Sequence, residues 1–547
     1  MATTTPVATA PAMTTAAPRR STGAIVAILS LTGMAVSIMQ TVVVPLLPQL
    51  STILHTPEAN TTWVLTITLL CGAVFTPLSG RLGDMFGKRN VLLMSVMAMI
   101  VGSVICALSS SLLPMLIGRA FQGASLGSIA LGISLMRDAL PKEKLPGAVA
   151  LMSSTLGIGG AIGLPLSAIV AQNLSWHYLF WGSAALGALV FIAILAKVPE
   201  SLVKTGGHFD YIGAVGLSAA LVCLLFALSE TSKWGWGDIR QLLLIAASVV
   251  IFIFWARYEK QASNPLVNIK TSISRPVLFT NAASIMVGFG MYSLNLVMTQ
   301  LLQAPKGSGF GFGRSMVVAG LCAAPMGFAM MLVSPVAAGI IKRYGPRVAL
   351  IIGPIIIAGG FVYAIVDLHY VWQAVVVSTL VGVGIAVSYA AMPTLIMRNV
   401  PMTETAAANS VNTLSRSLGT SLASAVHGAI IAAWAVKFAA NPVPSTSSFS
   451  PFDLCFLLGA IACVMAIFFA VLIPRGQQRL SPLTAETEML AGIEGLDDAD
   501  VFADLESQQI GVPAVERVRV LERRGPRRTV APRPAARPGV YSARHRR

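Results

Sequence analysis

The sequence predicts an all-α integral membrane protein with fourteen transmembrane helices and both termini cytoplasmic. Three observations carry that expectation. Charge is scarce over most of the chain, apolar runs of bilayer length recur, and Lys and Arg are unevenly shared between alternate loops. The chain has 547 residues, of which 55% are apolar and 11% charged. From Pro474 onward, 74 residues hold 13 Lys/Arg and 10 Asp/Glu, which leaves 37 charges, about 8%, for the first 473. A water-soluble composition is roughly 25% charged. A soluble enzyme, a disordered chain and a disulfide scaffold are therefore excluded. Cys71, Cys106, Cys223, Cys322, Cys455 and Cys463 agree, because all six lie inside apolar stretches and suggest buried thiols, not a framework of bridges.

A bilayer core requires roughly 20 apolar residues per helix. Such runs lie near 24–48, 61–80, 90–109, 112–135, 145–172, 176–196 and 210–229. They continue near 240–257, 276–302, 315–341, 347–366, 370–396, 405–436 and 451–473. Charged or Pro/Gly-rich turns separate them, such as Arg81–Arg89 and Arg137–Lys144. The first run is longer than a signal-peptide core of about 7–15 residues and lacks a clear small-residue cleavage site, so it is expected to be retained as a helix.

Orientation follows from the basic residues. With a cytoplasmic N-terminus, the inside segments before the tail carry 18 Lys/Arg and the outside loops carry 5. Residues 1–23, rich in Thr, Ala and Pro, are expected to form a disordered lead. Residues 474–547 are expected to form a disordered tail, first acidic over 486–506, then with 11 Arg among residues 509–547. That basic stretch suits an anionic inner leaflet. No aromatic interleaving accompanies the arginines, so no nucleic-acid partner is expected. Usage of Ala, Gly and Arg fits a high-GC bacterium.

No metal-ligand cluster, nucleophile elbow or phosphate loop with its lysine occurs, and the loops are too short to hold a catalytic domain. Neither an enzyme nor a cofactor is expected. What remains is gradient-driven movement of a small molecule across the membrane, or a sensor or channel.

The most specific local pattern is Gly80-Arg81-Leu82-Gly83-Asp84-Met85-Phe86-Gly87-Lys88-Arg89, read as the loop between spans 2 and 3. Its spacing resembles the signature loop of the major facilitator superfamily, Gly-x-Leu-x-Asp-x-x-Gly-x-Arg. Further residues narrow the resemblance to the fourteen-span drug:proton antiporter branch. These are Trp63-Val64-Leu65-Thr66, Arg119-Ala120-Phe121-Gln122-Gly123, Trp176-His177-Tyr178-Leu179-Phe180, and Phe209-Asp210 with Gly213. Glu404, Ala408-Asn409, Asn412, Arg416 and Gly419 match its pattern in span 13. The resemblance covers about residues 24–473.

A second, partial copy of the signature reads Ala338-Gly339-Ile340-Ile341-Lys342-Arg343-Tyr344-Gly345-Pro346-Arg347, with Lys342 where the first copy has Asp84. This self-similarity suggests two related six-helix halves, 24–200 and 263–473, with two inserted helices and their linker at 201–262. The resemblance implies a substrate cavity between the halves and alternating access by rocking. It also implies a gate motif of Gly80, Asp84, Gly87, Lys88 and Arg89, with Asp84 helping to lock the cytoplasmic side.

Two departures from the branch stand out. Span 5 reads Gly163-Leu164-Pro165 in place of Gly-Pro-x-x-Gly-Gly, so Gly159, Gly163 and Pro165 are expected to serve close helix contact and a local kink. Span 1 carries Met39 where the branch has an aspartate linked to proton movement, and no Asp or Glu lies near the centre of any span. An ionisable residue inside the bilayer is a functional candidate by default. Arg119, Arg416 and His427 are therefore the proton-coupling or electrostatic candidates. Arg119 cannot shed a proton and acts through its charge, whereas histidine as a residue type titrates near neutrality, which makes His427 a candidate carrier.

Arg416 and His427, 11 residues apart, fall on one face of span 13 with Asn409, Asn412 and Thr420. Gln40, Trp63, Tyr292, Asn295, Tyr389, Asn409 and Asn412 are the cavity-lining candidates, being polar or aromatic groups at span depth.

The expected function is export of amphiphilic organic compounds or drugs across the cell membrane by proton antiport. A second reading is export, or facilitated movement, of one dedicated, anionic metabolite held by Arg119 or Arg416. A reading of another class is a membrane sensor or scaffold acting through the tail. The expected partners are the substrate, protons and the bilayer, and a monomer suffices.

Overall fold

A computed structural model describes residues 22–474 except 45, 47–49, 62, 202, 309 and 441–449. The tail expected over 474–547, except for Pro474, and all but the last two residues of the lead, lie outside the described residues.

Among the described residues, fourteen helices are long and apolar enough to span a bilayer. Span 1 is Thr22–Thr41, span 2 Trp63–Phe86, span 3 Lys88–Leu108 and span 4 Leu112–Ala139. Span 5 is Leu145–Asn173, span 6 His177–Lys197, span 7 Tyr211–Trp234 and span 8 Ile239–Glu259. Span 9 is Arg275–Gln303, span 10 Met316–Tyr344 and span 11 Pro346–Val366. Span 12 is Val371–Arg398, span 13 Thr405–Ala440 and span 14 Pro451–Leu472.

Each expected run is thus a helix, but two boundaries differ in ways that matter. Span 1 stops at Thr41, ahead of Pro45 and Pro48, although the apolar run goes on. Span 2 continues to Phe86, so Gly80, Arg81 and Asp84 belong to a helix and not to a loop. Charged side chains do not end a helix. Gly87 does, with φ of 106°, a conformation that costs glycine little. Span 4 is interrupted by a 3₁₀ turn at Ser125–Gly127, and span 9 by a π turn at Leu294–Met298.

The apolar core is built in two bundles. Residues of spans 1, 3, 4, 5 and 6, among them Leu29, Val96, Leu131, Val149 and Val190, pack together in the first half. Val287, Met330, Ile357, Val381 and Phe456 of spans 9 to 12 and 14 anchor the second. Glycines bring the bundles into backbone contact. A Cβ on Gly327 of span 10 would strike the carbonyl of Gly157 in span 5, and one on Gly80 of span 2 would lie 2.7 Å from the carbonyl of Ala406 in span 13.

Spans 7 and 8 form a hairpin of their own. Ser248 donates to the Ala220 carbonyl at 2.8 Å and Trp255 Nε1 to that of Gly213 at 2.9 Å. Leu217, Leu221 and Leu225 of span 7 pack with Leu70 of span 2 and Leu414 of span 13. The architecture is therefore six, two and six, as the sequence predicts.

The two halves repeat one detail closely. Gly87 after span 2 and Gly345 after span 10 both have positive φ, 106° and 87°. Two residues beyond each stands an arginine that holds the end of its half's last helix. Arg89 donates to the Leu195 carbonyl of span 6 at 2.7 Å, and Arg347 to the Val471 carbonyl of span 14 at 2.5 Å.

Candidate functional site

The seam between the halves is bridged at the end of the bundle that carries the basic loops. Asp84 sits on the last turn of span 2, its side chain fully buried. It accepts hydrogen bonds from the amides of Ala406 (3.1 Å) and Ala407 (2.8 Å), in the first turn of span 13. A carboxylate there meets free amide donors and the positive end of the helix dipole. Lys88, also fully buried, stands 3.7 Å from Asp84 and 2.6 Å from Asp138. Arg137 donates to the Thr405 hydroxyl at 2.6 Å and the Val400 carbonyl at 3.2 Å, and Ser134 to the Thr405 carbonyl at 3.2 Å. Asn409 reaches Ser134 at 3.2 Å.

Of the five gate residues read from the sequence, Asp84 and Gly80 face the opposite half. Lys88 holds Asp84 and Asp138 together, Gly87 makes the turn, and Arg89 ties span 3 to span 6. Ser134, Arg137, Asp138 and Thr405 complete the latch and escape sequence reading. The trace available is an acid, Asp138, standing among the basic residues at the end of span 4.

The two buried arginines have different surroundings. Arg119 donates to the carbonyls of Val64 (3.1 Å) and Met39 (3.3 Å) and to Gln122 Oε1 (2.7 Å). Gln122 in turn donates to Ser103 at 2.8 Å. Met39, at the position where the resembling branch has its aspartate, thus lies directly against the Arg119 guanidinium.

Arg416 is 5% exposed. One terminal nitrogen donates to the Thr413 hydroxyl at 3.2 Å, and the guanidinium lies 4.7 Å from the centre of the Tyr389 ring. Its other terminal nitrogen has no hydrogen-bond partner. Tyr389 of span 12 is buried too, with its hydroxyl 3.0 Å from the Met291 sulfur. Its carbonyl accepts from Ser153 of span 5 at 3.1 Å, which places the Arg416–Tyr389 pair beside the seam.

The other candidates disperse. His427 is fully buried, with Nε2 2.7 Å from Ser293 Oγ of span 9 and Nδ1 without a partner. Phe289 lies edge-on to its ring. Asn412 donates to Asn281 (2.9 Å) and Ser284 (2.7 Å) of span 9. Asn295, in the π turn, donates to the Met291 carbonyl at 3.0 Å. Tyr292 packs against the small apolar cluster of Phe289 of span 9, Ala423 of span 13 and Ala462 of span 14. Trp63 stacks on Phe226 of span 7, with ring centres 5.4 Å apart, at the end opposite the latch. Gln40 is half-buried near the end of span 1.

In span 5, Gly159 and Gly163 form a groove for span 1. A Cβ on either would strike Ser37 or Thr41, and Ser37 donates to the Leu156 carbonyl at 2.8 Å. Pro165 is half-buried within the helix.

Comparison with known proteins supports this architecture. The profile of the Major Facilitator Superfamily matches residues 29–424 and, overlapping them, 278–530. The multidrug resistance protein Stp of Mycobacterium tuberculosis is 26% identical over 71% of this chain and 72% of its own length. The tetracenomycin C resistance and export protein of Streptomyces glaucescens is 28% identical over 73% of this chain and 74% of its own. Among solved structures, the human organic anion transporter MFSD10 superposes with a TM-score of 0.57 at 14% identity, covering 82% of this chain and 99% of that one. The proton:xylose symporter XylE does so with a TM-score of 0.58 at 14% identity, covering 83% and 96%. With fourteen spans, two latched halves, an inserted hairpin and a family profile matched over most of its length, this multi-pass cell-membrane protein belongs to the Major Facilitator Superfamily of transporters.

Proposed function

We propose that the protein exports amphiphilic organic compounds by alternating access, in exchange for protons, with its basic end in the cytoplasm. The observation that carries this reading is the Asp84 latch. It is a buried, breakable, charge-assisted contact between two halves that elsewhere meet through neutral hydrogen-bond acceptors and closely packed glycines. Opening it exposes the seam on one side, and the Arg416–Tyr389 pair beside that seam is a natural contact for a bound molecule. The relatives named for drug resistance and tetracenomycin export support an outward direction and an amphiphilic cargo.

His427 is the proton carrier in this reading, since its buried ring keeps one nitrogen free and the span-1 carboxylate is replaced by Met39. The test is flux in liposomes with a pH-sensitive dye inside, comparing wild type with His427→Ala and Arg119→Ala. Substrate-dependent proton movement that His427→Ala abolishes supports the antiport. Proton movement that survives clears His427, and substrate flux without protons makes the protein a facilitator.

A second reading, a dedicated anionic metabolite, is favoured by the unpartnered Arg416 nitrogen. It predicts that an anionic substrate is lost on Arg416→Gln while cationic dyes still move. A sensor or scaffold acting through the tail predicts instead that removing residues 475–547 abolishes function.

A further inference from the structure

The second copy of the signature motif keeps its glycine and arginine but has lost its acid, and the structure shows what stands there instead. By the repeat that relates Gly87 to Gly345 and Arg89 to Arg347, Lys342 on span 10 occupies the place of Asp84 on span 2. The contact it faces is the counterpart of the latch. Asp84 meets the start of span 13, and Lys342 lies across from the start of span 5. A lysine cannot accept from helix amides, so no latch forms, and Lys144, at the N-cap of span 5, makes no capping bond through its side chain.

Where the first half has its latch, this joint has a cavity of about 600 Å³, opening between spans 1, 5 and 10. Lys144 and Lys342 line it, with Glu143 beside them, and Val26, Leu151 and Ala338 supply apolar walls.

We propose that this cavity is a binding site for the phosphate headgroup of an anionic phospholipid, whose acyl chain lies along Val26 and Leu151. Charge complementarity commits it to that occupant. Two exposed lysines, Lys144 and Lys342, and the positive end of span 5 border it. The Glu143 carboxylate offsets one charge and can accept from a headgroup hydroxyl. A free phosphate would leave the apolar wall wet, whereas a lipid covers it. Basic pockets between helices at the leaflet level suit such headgroups. Bound there, the lipid's phosphate does for span 5 what Asp84 does for span 13, so the two joints are latched by different anions, one covalent and one borrowed from the membrane.

The test is native mass spectrometry of the full-length protein from micelles containing equal phosphatidylglycerol and phosphatidylcholine. Wild type should retain phosphatidylglycerol preferentially. A basic residue near an anionic lipid surface contributes about fivefold, so Lys144→Gln with Lys342→Gln should reduce that preference about 25-fold. Lys342→Asp, which restores an acid to the motif, should abolish the preference and raise the unfolding temperature in lipid-free detergent. Lys270→Gln, at an exposed lysine elsewhere on the same end, should leave it unchanged.

Equal retention of both lipids by wild type overturns the proposal, and so does a preference untouched by the Lys144 and Lys342 changes. Displacement of the lipid by inorganic phosphate overturns it in favour of a free anion. Thermal unfolding of each variant checks folding. If the double variant fails that check, Lys342→Gln alone decides, with about a fivefold loss expected.

Discussion

Asp84→Asn is the sharpest perturbation of the latch, because it removes a charge and keeps the shape. The carboxylate accepts from two amides at 3.1 and 2.8 Å. An asparagine oxygen can keep one of these, while its NH₂ group faces the other donor. The loss is therefore one charge-assisted bond, about 1.5–3 kcal/mol. To this is added the attraction to the span-13 terminus, roughly 0.3–1 kcal/mol and up to about 2 when partly buried. Lys88 keeps Asp138 at 2.6 Å, so no ammonium is orphaned to add a further penalty. A total near 3 kcal/mol lowers the ratio of latched to unlatched molecules about 100-fold. Spin labels at Lys142 and Lys270, one on each half in a background without the six native cysteines, would report the distance across the basic end by double electron–electron resonance. The variant should show a new, longer population. A distance distribution identical to wild type would refute the view that this contact holds the halves together.

Three other outcomes are expected. Gly327→Val places atoms against the Gly157 carbonyl and within 2.6 Å of Ala161 Cβ, so thermal unfolding should register a loss of about 1–3 kcal/mol, while Gly320→Ala, whose Cβ meets nothing within 4 Å, should not. Arg119→Lys leaves one ammonium to serve the Val64 and Met39 carbonyls and Gln122, and unfolding should show destabilisation of about 2–3 kcal/mol. Met39→Asp sets a carboxylate beside Arg119, and liposome flux with an internal pH dye should show more protons moved per substrate than in wild type.

Apolar length and loop charge made all fourteen helices legible, because a bilayer punishes any other arrangement of backbone. The gate motif was legible as a motif but not as a geometry. Nothing in the local sequence says that Asp84 bonds to amides 322 and 323 residues away, since every amino acid except proline carries the same N–H. The polar stripe on span 13 was visible from its spacing, yet its members serve different neighbours. Asn409 turns to span 4, Asn412 and His427 to span 9, and Arg416 to span 12. Arg119 and Arg416 read alike as buried charges. What separates them is the carbonyl groups of other helices, and backbone acceptors leave no mark in a residue pattern.

The segment leaving span 6 has a consequence of its own. Thr205 donates through both its amide and its hydroxyl to the Asp84 carbonyl, at 2.9 and 3.1 Å. Ser201 donates to Asp138 at 2.6 Å, and Glu200 accepts from the Arg89 amide at 3.3 Å. The strand of chain that joins the first half to the hairpin is therefore stitched onto the latch and is not slack tether. Lys204, exposed between these stitches, offers a trypsin site whose backbone is pinned while the latch stays shut. The rate at which the chain is nicked there becomes a clock for opening, readable on a gel without any label or any knowledge of the cargo.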